Sequence, residues 1–318
     1  MRLATHLQAG EPRLAVVAGD ALIDVERGYA ALLRARGEVA AERLAAAGAP
    51  SDVVRFLALG ARAIAAAREA VDHALALDPA VARAELIRSA LHEARLLPPV
   101  PRPPKIVCVA RNYREHAAEA GLAVSEIPIL FARFAATLVA PGEPIVRPSV
   151  SDQLDWEGEL AVVIGTGGHR ITAADAARHV AGYSLFNDAT VRDYQFRVTQ
   201  YTGGKNFSGS APFGPFLVLA DELPDPGALE LTTTLNGEVV QRARTSEMIF
   251  DVPTIVEHVS EFVALEPGDV IAMGTPAGVG FKRNPPRFLV PGDVVEVAIP
   301  ELGVLSNPVV AEEEVAPR

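Results

Sequence analysis

Residues 154–165 read LDWEGELAVVIG. The second half is an apolar run of the kind that a core buries on both faces. The first half sets Asp155, Glu157 and Glu159 at alternate positions, leading straight into that run. Side chains alternate across a strand, so the spacing predicts three carboxylates on one face and Leu154, Trp156 and Gly158 on the other. Residues two apart on a strand lie roughly 7 Å apart at Cα, near enough for two glutamates to converge on one ion. Without a cation they repel each other beside a core, where unpaired charge is costly. Taken alone, Glu-x-Glu is more often a solvated acidic face than a metal site, because polar alternation is the ordinary pattern of an exposed face.

A third carboxylate shifts that balance. YSLFNDATVRD places Asp188 at the end of another apolar strand, with charges and chain breakers after it. Three carboxylates with no Cys or His beside them describe an oxygen site for a hard ion: Mg²⁺, Mn²⁺ or Ca²⁺ rather than Zn²⁺.

The 318 residues suggest two domains, or one large domain with an appendage, and 49% apolar content supports a sizeable core. A formal charge of −11 argues against a nucleic-acid footprint, but a locally basic pocket for a small anion remains open. No apolar run is long enough to span a bilayer, and MRLATHLQAGEPR lacks the apolar core of a signal peptide. A soluble, cytoplasmic protein without membrane contact is expected. The single cysteine, Cys108, makes no intrachain disulfide and reads as a small buried hydrophobe. Of 29 basic residues only Lys105, Lys205 and Lys282 are lysines, so a lysine here hints at a place where a compact ammonium suits better than a planar fork.

Residues 1–25 read as short strands and turns, and residues 28–95 as Ala-rich helices. SDVVRFLALGARAIAAAREAVDHAL predicts a helix with Ser51 as N-cap. LLPPVPRPPK, stiff and extended, predicts a linker. The domain boundaries expected are therefore 1–97, a linker at 98–104, and 105–318. Beyond the linker the chain is strand-rich. KIVCVARNY and PILFARFA read as strands, REHAAEAG as a short helix ended by Gly121, and ITAADAARHVAG as a short helix with Thr172 and Asp175 in capping-box spacing. Asn236-Gly237 is the strongest hairpin signal, and VPTIVEHVSEFVAL predicts an amphipathic helix. The fold class expected is α+β, mainly β, with a smaller N-terminal region of short strands and Ala-rich helices.

Other residues carry candidate chemistry. In Asn112-Tyr113-Arg114-Glu115-His116-Ala117-Ala118-Glu119, positions 116 and 119 share a helix face. Glu119 can hold one nitrogen of His116 and leave the other to take a proton, although alone the pair reads as an ordinary surface contact. Arg192, Gln195 and Lys205 lie in VRDYQFRVTQYTGGKNF, where Gly203 and Gly204 permit close backbone approach to a ligand. A cation there would stabilise an oxyanion or bind a carboxylate, though a flexible polar loop has the same composition. GTPAGVG, residues 274–280, lacks the Gly-Lys-Ser/Thr ending of a P-loop. It reads equally as a tight loop or as one offering N–H groups and the Thr275 hydroxyl to an anion.

The ordered set KIVCVARNYREHAAEAG, DWEGELAVVIG, GYSLFNDATVRDYQ, GGKNFSGSAPFGP, LNGEVVQRARTSEMIF and LEPGDVIAMGTPAGVG resembles the fumarylacetoacetate hydrolase family, from about Lys105 to Val310. The resemblance implies a mixed β-sheet roll or sandwich, usually a homodimer, with a divalent metal, Mg²⁺ or Mn²⁺ with Ca²⁺ possible, on Glu157, Glu159 and Asp188. It also implies a His116–Glu119 pair on a segment that orders over the substrate. Oxyanion and carboxylate contacts fall on Arg192, Gln195 and Lys205, and substrate contacts on Thr275 and Tyr113. One departure is Ala110, where the family's motif carries glycine.

The function expected is hydrolytic C–C cleavage of a 1,3-dicarbonyl acid, an acylpyruvate or diketo-acid type, through a metal-stabilised enolate, with His116 activating water. The alternative is an isomerase, tautomerase or decarboxylase of a related 2-oxo or 2-hydroxy diacid at the same site. Either substrate is a small anionic keto acid from aromatic or sugar-acid catabolism. A non-enzymatic protein with a structural ion is the third reading; His116, Glu119 and Lys205 in the same set argue against it.

Overall fold

The computed structural model describes residues 1–119, 124–223 and 225–315. The fold is α+β and mostly strand, built on one large twisted sheet. Its strand order is Arg88–Ala90, Ala21–Asp24, Glu11–Ala18, Arg2–Gln8, Ala211–Leu219, Val180–Asn187, Gly158–Ile164, Val270–Ala272, Ile106–Ala110 and Ile129–Arg133. Neighbours along this path run antiparallel except Val270–Ala272 beside Ile106–Ala110. A second sheet is ordered Glu238–Arg244, Glu230–Leu235, Val294–Ile299, Gly303–Ala311 and Ile145–Arg147. The N-terminal strands make no sheet of their own. Arg2–Gln8 pairs with Ala211–Leu219, Leu3 opposite Leu217, so hydrogen bonding continues across the Pro-rich segment.

The run Leu160–Ile164 is apolar because both its faces are covered. Leu160, Val162 and Ile164 join a core with Ile255, Val256 and Val297, which places the second sheet and helix Val252–Ser260 on that side. Ala161 and Val163 face the opposite core with Phe56, Ala63, Ala67 and Cys108, under the N-terminal helices Val53–Ala58 and Ala61–Ala76. Cys108 is fully buried there, and burial pushes its thiol well above the usual range, so it is packing rather than a nucleophile. Asn236 and Gly237 take φ of 52° and 83°, the paired positive values of a two-residue hairpin turn.

Several local expectations are corrected. The helix over residues 51–75 is two helices, broken at Gly60 with φ 58°. Its cap is Asp52, not Ser51: the Asp52 carboxylate accepts from Arg55 N–H at 2.8 Å, while Ser51 N–H donates to Glu26. Residues 171–182 hold no α-helix but a 3₁₀ turn, Ala176–Arg178, followed by the start of the strand Val180–Asn187. The Thr172 hydroxyl donates to Asp175 Oδ2 at 2.9 Å instead of capping backbone. The helix after Tyr113 spans Arg114–Glu119; Gly121, expected to end it, lies outside the described residues. Gly204 serves packing rather than ligand approach, since a Cβ there would stand 2.5 Å from Gln195 N.

Gly158 sets the distance between the two sheets. A Cβ there would lie 2.1 Å from Thr233 Oγ1 and 3.2 Å from Val297 Cγ1. Gly158→Ala is expected to cost about 1–3 kcal/mol by overpacking and to lower the melting temperature by several degrees in a thermal scan. An unchanged melting temperature would refute this close approach.

Candidate active site

The two central strands Gly158–Ile164 and Val180–Asn187 pair with Gly158 opposite Asn187, and just past that pairing the chain delivers its carboxylates. Glu157 N–H donates to Asn187 Oδ1 at 3.0 Å, and Asp188 N–H to the Glu157 carbonyl at 2.8 Å. These bonds put Glu157 and Asp188 side by side, with Glu159 one residue into the strand. All three are buried, and one carboxylate oxygen from each lies within 4.8 Å of the others. The expected triad converges.

Asp155 does not join it. The strand breaks after Asp155 and resumes at Gly158, so simple alternation fails across Trp156. Asp155 instead accepts from Gly280 N–H at 2.7 Å, Phe281 N–H at 3.1 Å and Arg192 Nε at 2.8 Å.

Three buried cations interleave with the carboxylates. Arg192 spans Asp155 and Glu157, with Nη1 2.5 Å from Glu157 Oε1 and 3.0 Å from Gln195 Oε1. Its Nη2 lies 2.8 Å from Asp155 Oδ2 but is not aligned for a hydrogen bond. Lys205 Nζ sits 2.6 Å from Glu157 Oε2 and 2.5 Å from Asp188 Oδ2. Arg133, unnoticed in the sequence, donates to Asp188 Oδ1 at 2.7 Å and to Ser210 Oγ at 2.7 Å. Its signal was a single charge inside the apolar strand ILFAR, where an unpaired guanidinium could not stay.

The Gly-rich loop after Val270–Ala272 does present N–H groups to anions, and the anions are the protein's own. Gly274 N–H donates to Glu159 Oε2 at 2.8 Å, and Gly278 N–H to Glu119 at 3.2 Å. The Gly280 and Phe281 bonds to Asp155 complete the set. Gly274 and Gly278 have φ of 91° and 101°, and a Cβ on Gly278 would lie 2.1 Å from the Val240 carbonyl, so glycine is required at that position. The Thr275 hydroxyl donates to the Gly158 carbonyl at 3.0 Å and accepts from Gln241 Nε2 at 2.8 Å. It locks the loop to the glutamate strand while facing the cavity.

Around this network lies a cavity of about 250 Å³. His116, Glu157, Glu159, Asp188, Arg192, Gln195, Lys205 and Thr275 all line it, with an aromatic wall of Phe131, Phe196, Tyr201 and Phe281. Glu119 stands behind His116, its Oε2 3.4 Å from His116 Nδ1. Tyr113 is not among the lining residues. It is buried, and its hydroxyl has no hydrogen-bond partner among the described residues. Its neighbour Asn112 pins the segment through the carbonyls of Phe250 and Met273.

The electrostatics are uneven. Burial pushes every carboxylate of the set upward. For Glu157, Lys205 and Arg192 overcome that and hold it below the usual range. Glu159 goes the other way: burial, then Asp188 and Glu157, raise it well above the usual range. Its hydrogen-bond donor is one backbone N–H, and no cationic side chain lies within 4.0 Å of it among the described residues. An all-oxygen donor set of three buried carboxylates, one of them short of positive charge, fits a hard divalent ion.

A model of the fumarylacetoacetate (FAA) hydrolase C-terminal domain matches residues 105–310. The chain belongs to the fumarylacetoacetate hydrolase family. It is 43% identical over 263 residues to the human protein "Oxaloacetate tautomerase FAHD2A, mitochondrial", covering 82% of this chain and 80% of that one. Among solved structures it resembles the fumarylacetoacetate hydrolase of Exiguobacterium antarcticum, with a TM-score of 0.77 and 34% identity over 98% of this chain and 100% of that one. It also resembles the 2-hydroxyhepta-2,4-diene-1,7-dioate isomerase of Mycobacterium marinum, with a TM-score of 0.72 and 30% identity over 98% of this chain and 99% of that one. The likenesses span hydrolysis, isomerisation and tautomerisation, so the family is an enzyme family whose outcome varies. No helix among the described residues is long and apolar enough to cross a membrane.

Two outcomes follow from the charge network. Glu159→Gln removes the carboxylate without a cationic partner, so it is expected to raise the melting temperature of metal-free protein while abolishing the rise that added Mg²⁺ produces. A retained Mg²⁺ response would remove Glu159 from the ligand set. Arg133→Met leaves Asp188 with one cation fewer and is expected to cost about 3–5 kcal/mol in denaturant unfolding.

Proposed function

We propose that this chain is a divalent-metal-dependent tautomerase of a small 2-oxo diacid of the oxaloacetate type. The reading rests on the likeness to the human oxaloacetate tautomerase across 82% of this chain. The Mycobacterium marinum isomerase, a proton-moving relative, supports it further. This is the alternative raised by the sequence, and it displaces C–C hydrolysis as the preferred outcome.

Keto–enol conversion moves one proton between carbon and oxygen and consumes no water, so it needs one base and a site that stabilises negative charge on oxygen. When bound, a Mg²⁺ or Mn²⁺ ion on Glu157, Glu159 and Asp188 would supply Lewis-acid polarisation of the 2-oxo group. His116 lines the same cavity, and Glu119, 3.4 Å away and fixed by Gly278 N–H, orients its ring through Nδ1. That leaves Nε2 to take a proton from the carbon next to the ketone. The C–H pair becomes the C=C bond, and charge moves to the ketone oxygen. Lys205 and Arg192 hold positive charge against the cavity where that oxygen develops. Protonation of the oxygen completes the enol, and the reverse sequence returns the ketone. Phe131, Phe196, Tyr201 and Phe281 limit water around the reacting carbon.

The test is the decay of enol-oxaloacetate followed by ultraviolet absorbance with Mg²⁺ present, beside acylpyruvate cleavage under the same conditions. Tautomerisation is expected to be accelerated and cleavage to be slow or absent. His116→Gln is expected to lower kcat by about 10²–10⁴-fold while the Mg²⁺-dependent rise in melting temperature survives. Absence of acceleration with any divalent ion, or an active His116→Gln variant, would overturn the reading, and fast acylpyruvate cleavage would restore hydrolysis.

A further inference from the structure

The cations used to hold the carboxylates are already engaged. Arg192 is taken up by Asp155 and Glu157, and Lys205 by Glu157 and Asp188. Two other cations line the same cavity, Arg111 and Lys282. Among the described residues neither has a carboxylate within 4.0 Å. Lys282 is exposed, its ammonium 5.1 Å from the centroid of the Phe281 ring. Arg111 is half-buried, and its Nε is shielded from solvent without a hydrogen-bond partner.

The backbone at Arg111 is unusual as well. Its φ is 56°, a left-handed conformation that costs roughly 1–2 kcal/mol for a residue with a Cβ. The next residue enforces it. Asn112 is tied through its side chain to the Phe250 carbonyl at 3.0 Å, the Met273 carbonyl at 2.8 Å and Phe250 N–H at 2.9 Å. Its own carbonyl accepts from Ile249 N–H at 2.7 Å. A strained position held by its surroundings, on a cavity-lining arginine whose shielded Nε has no hydrogen-bond partner among the described residues, is a position arranged for a ligand.

The geometry points to Arg111 as the residue that selects a second carboxylate on the substrate, with Lys282 adding charge at the same cavity. This rests on the diacid reading above and deepens it. The 2-oxo acid end of the substrate goes to the Glu157–Glu159–Asp188 cluster, and the far carboxylate meets the Arg111 guanidinium, which among the described residues has no carboxylate within 4.0 Å and whose shielded Nε has no hydrogen-bond partner. A planar fork suits a carboxylate. Arg111 is thus a specificity-determining residue.

L-Malate and L-lactate share a 2-hydroxy acid end, cannot tautomerise, and differ by the far carboxylate. Calorimetric titration of the full chain in Mg²⁺ buffer is expected to show malate binding ~10- to 100-fold more tightly than lactate. Arg111→Asn keeps a residue that tolerates the left-handed backbone and removes the guanidinium. It is expected to bring the ratio close to one by weakening malate and leaving lactate alone, whereas Arg111→Lys keeps part of the preference. For oxaloacetate the same variant is expected to raise KM more than it lowers kcat. A wild-type protein that does not distinguish malate from lactate, or an Arg111→Asn variant that keeps the wild-type ratio, overturns the assignment. A protein that shows the preference, loses it in Arg111→Asn, and yet tautomerises nothing retires the proposed activity and leaves the subsite standing.

Discussion

The structure depends on keeping Asp155, Glu157, Glu159 and Asp188 ionised or protonated away from bulk water without destroying the core around them. Taking one carboxylate out of water costs several kcal/mol even after relaxation. Here each is answered locally: Arg192 and two loop N–H groups for Asp155, Arg192 and Lys205 for Glu157, Lys205 and Arg133 for Asp188, and one N–H for Glu159. The compensating groups come from three separate stretches of chain: the strand Ile129–Arg133, the 192–205 segment and residues 274–281. The fold around the site is therefore the device that brings those stretches together, and the site in turn ties the sheet, the 192–205 segment and the Gly-rich loop into one unit.

That arrangement explains which parts were legible in the sequence. Glu157 and Glu159 stand two residues apart and Asp188 ends an apolar run, so local periodicity exposes them. The Asn-Gly hairpin and the amphipathic helix Val252–Ser260 are likewise local signals. Arg133 and Asp188 are separated by 55 residues, and nothing in either segment names its partner. The break at Trp156 was hidden for a related reason. Alternation predicts one continuous strand, but the Asn187 side chain captures Glu157 N–H and the loop captures Asp155. Tertiary hydrogen bonds overrode the pattern.

The Gly-rich loop shows the limit most clearly. Its composition offered two readings, a tight turn or a loop presenting N–H groups and the Thr275 hydroxyl to an anion; the turn is tight, the N–H groups meet the protein's own carboxylates, and the Thr275 hydroxyl donates to the Gly158 carbonyl. The turn is tight because Gly278 packs against the Val240 carbonyl, and the anions it serves are Glu159, Glu119 and Asp155. A sequence can reveal that a loop is able to donate N–H groups. Which carboxylates receive them is decided by the strand order, which sets Val270–Ala272 directly beside Gly158–Ile164.

The same economy bears on reaction outcome. Stabilising charge on a substrate oxygen, the part proposed for the carboxylate cluster and its cations, is a requirement shared by hydrolysis, isomerisation and tautomerisation, so it would not discriminate between them. On the proposed reading, discrimination falls to what would surround the reacting carbon: His116 as base, the aromatic wall, and the cavity-lining cations without a carboxylate partner among the described residues. Hydrolysis needs a water held between base and carbonyl, whereas tautomerisation needs the base against carbon itself. A site that binds both ends of a short diacid fixes that carbon in place and leaves a water little room to intervene. On that reading, position rather than a different set of catalytic groups would separate tautomerisation from hydrolysis at this site.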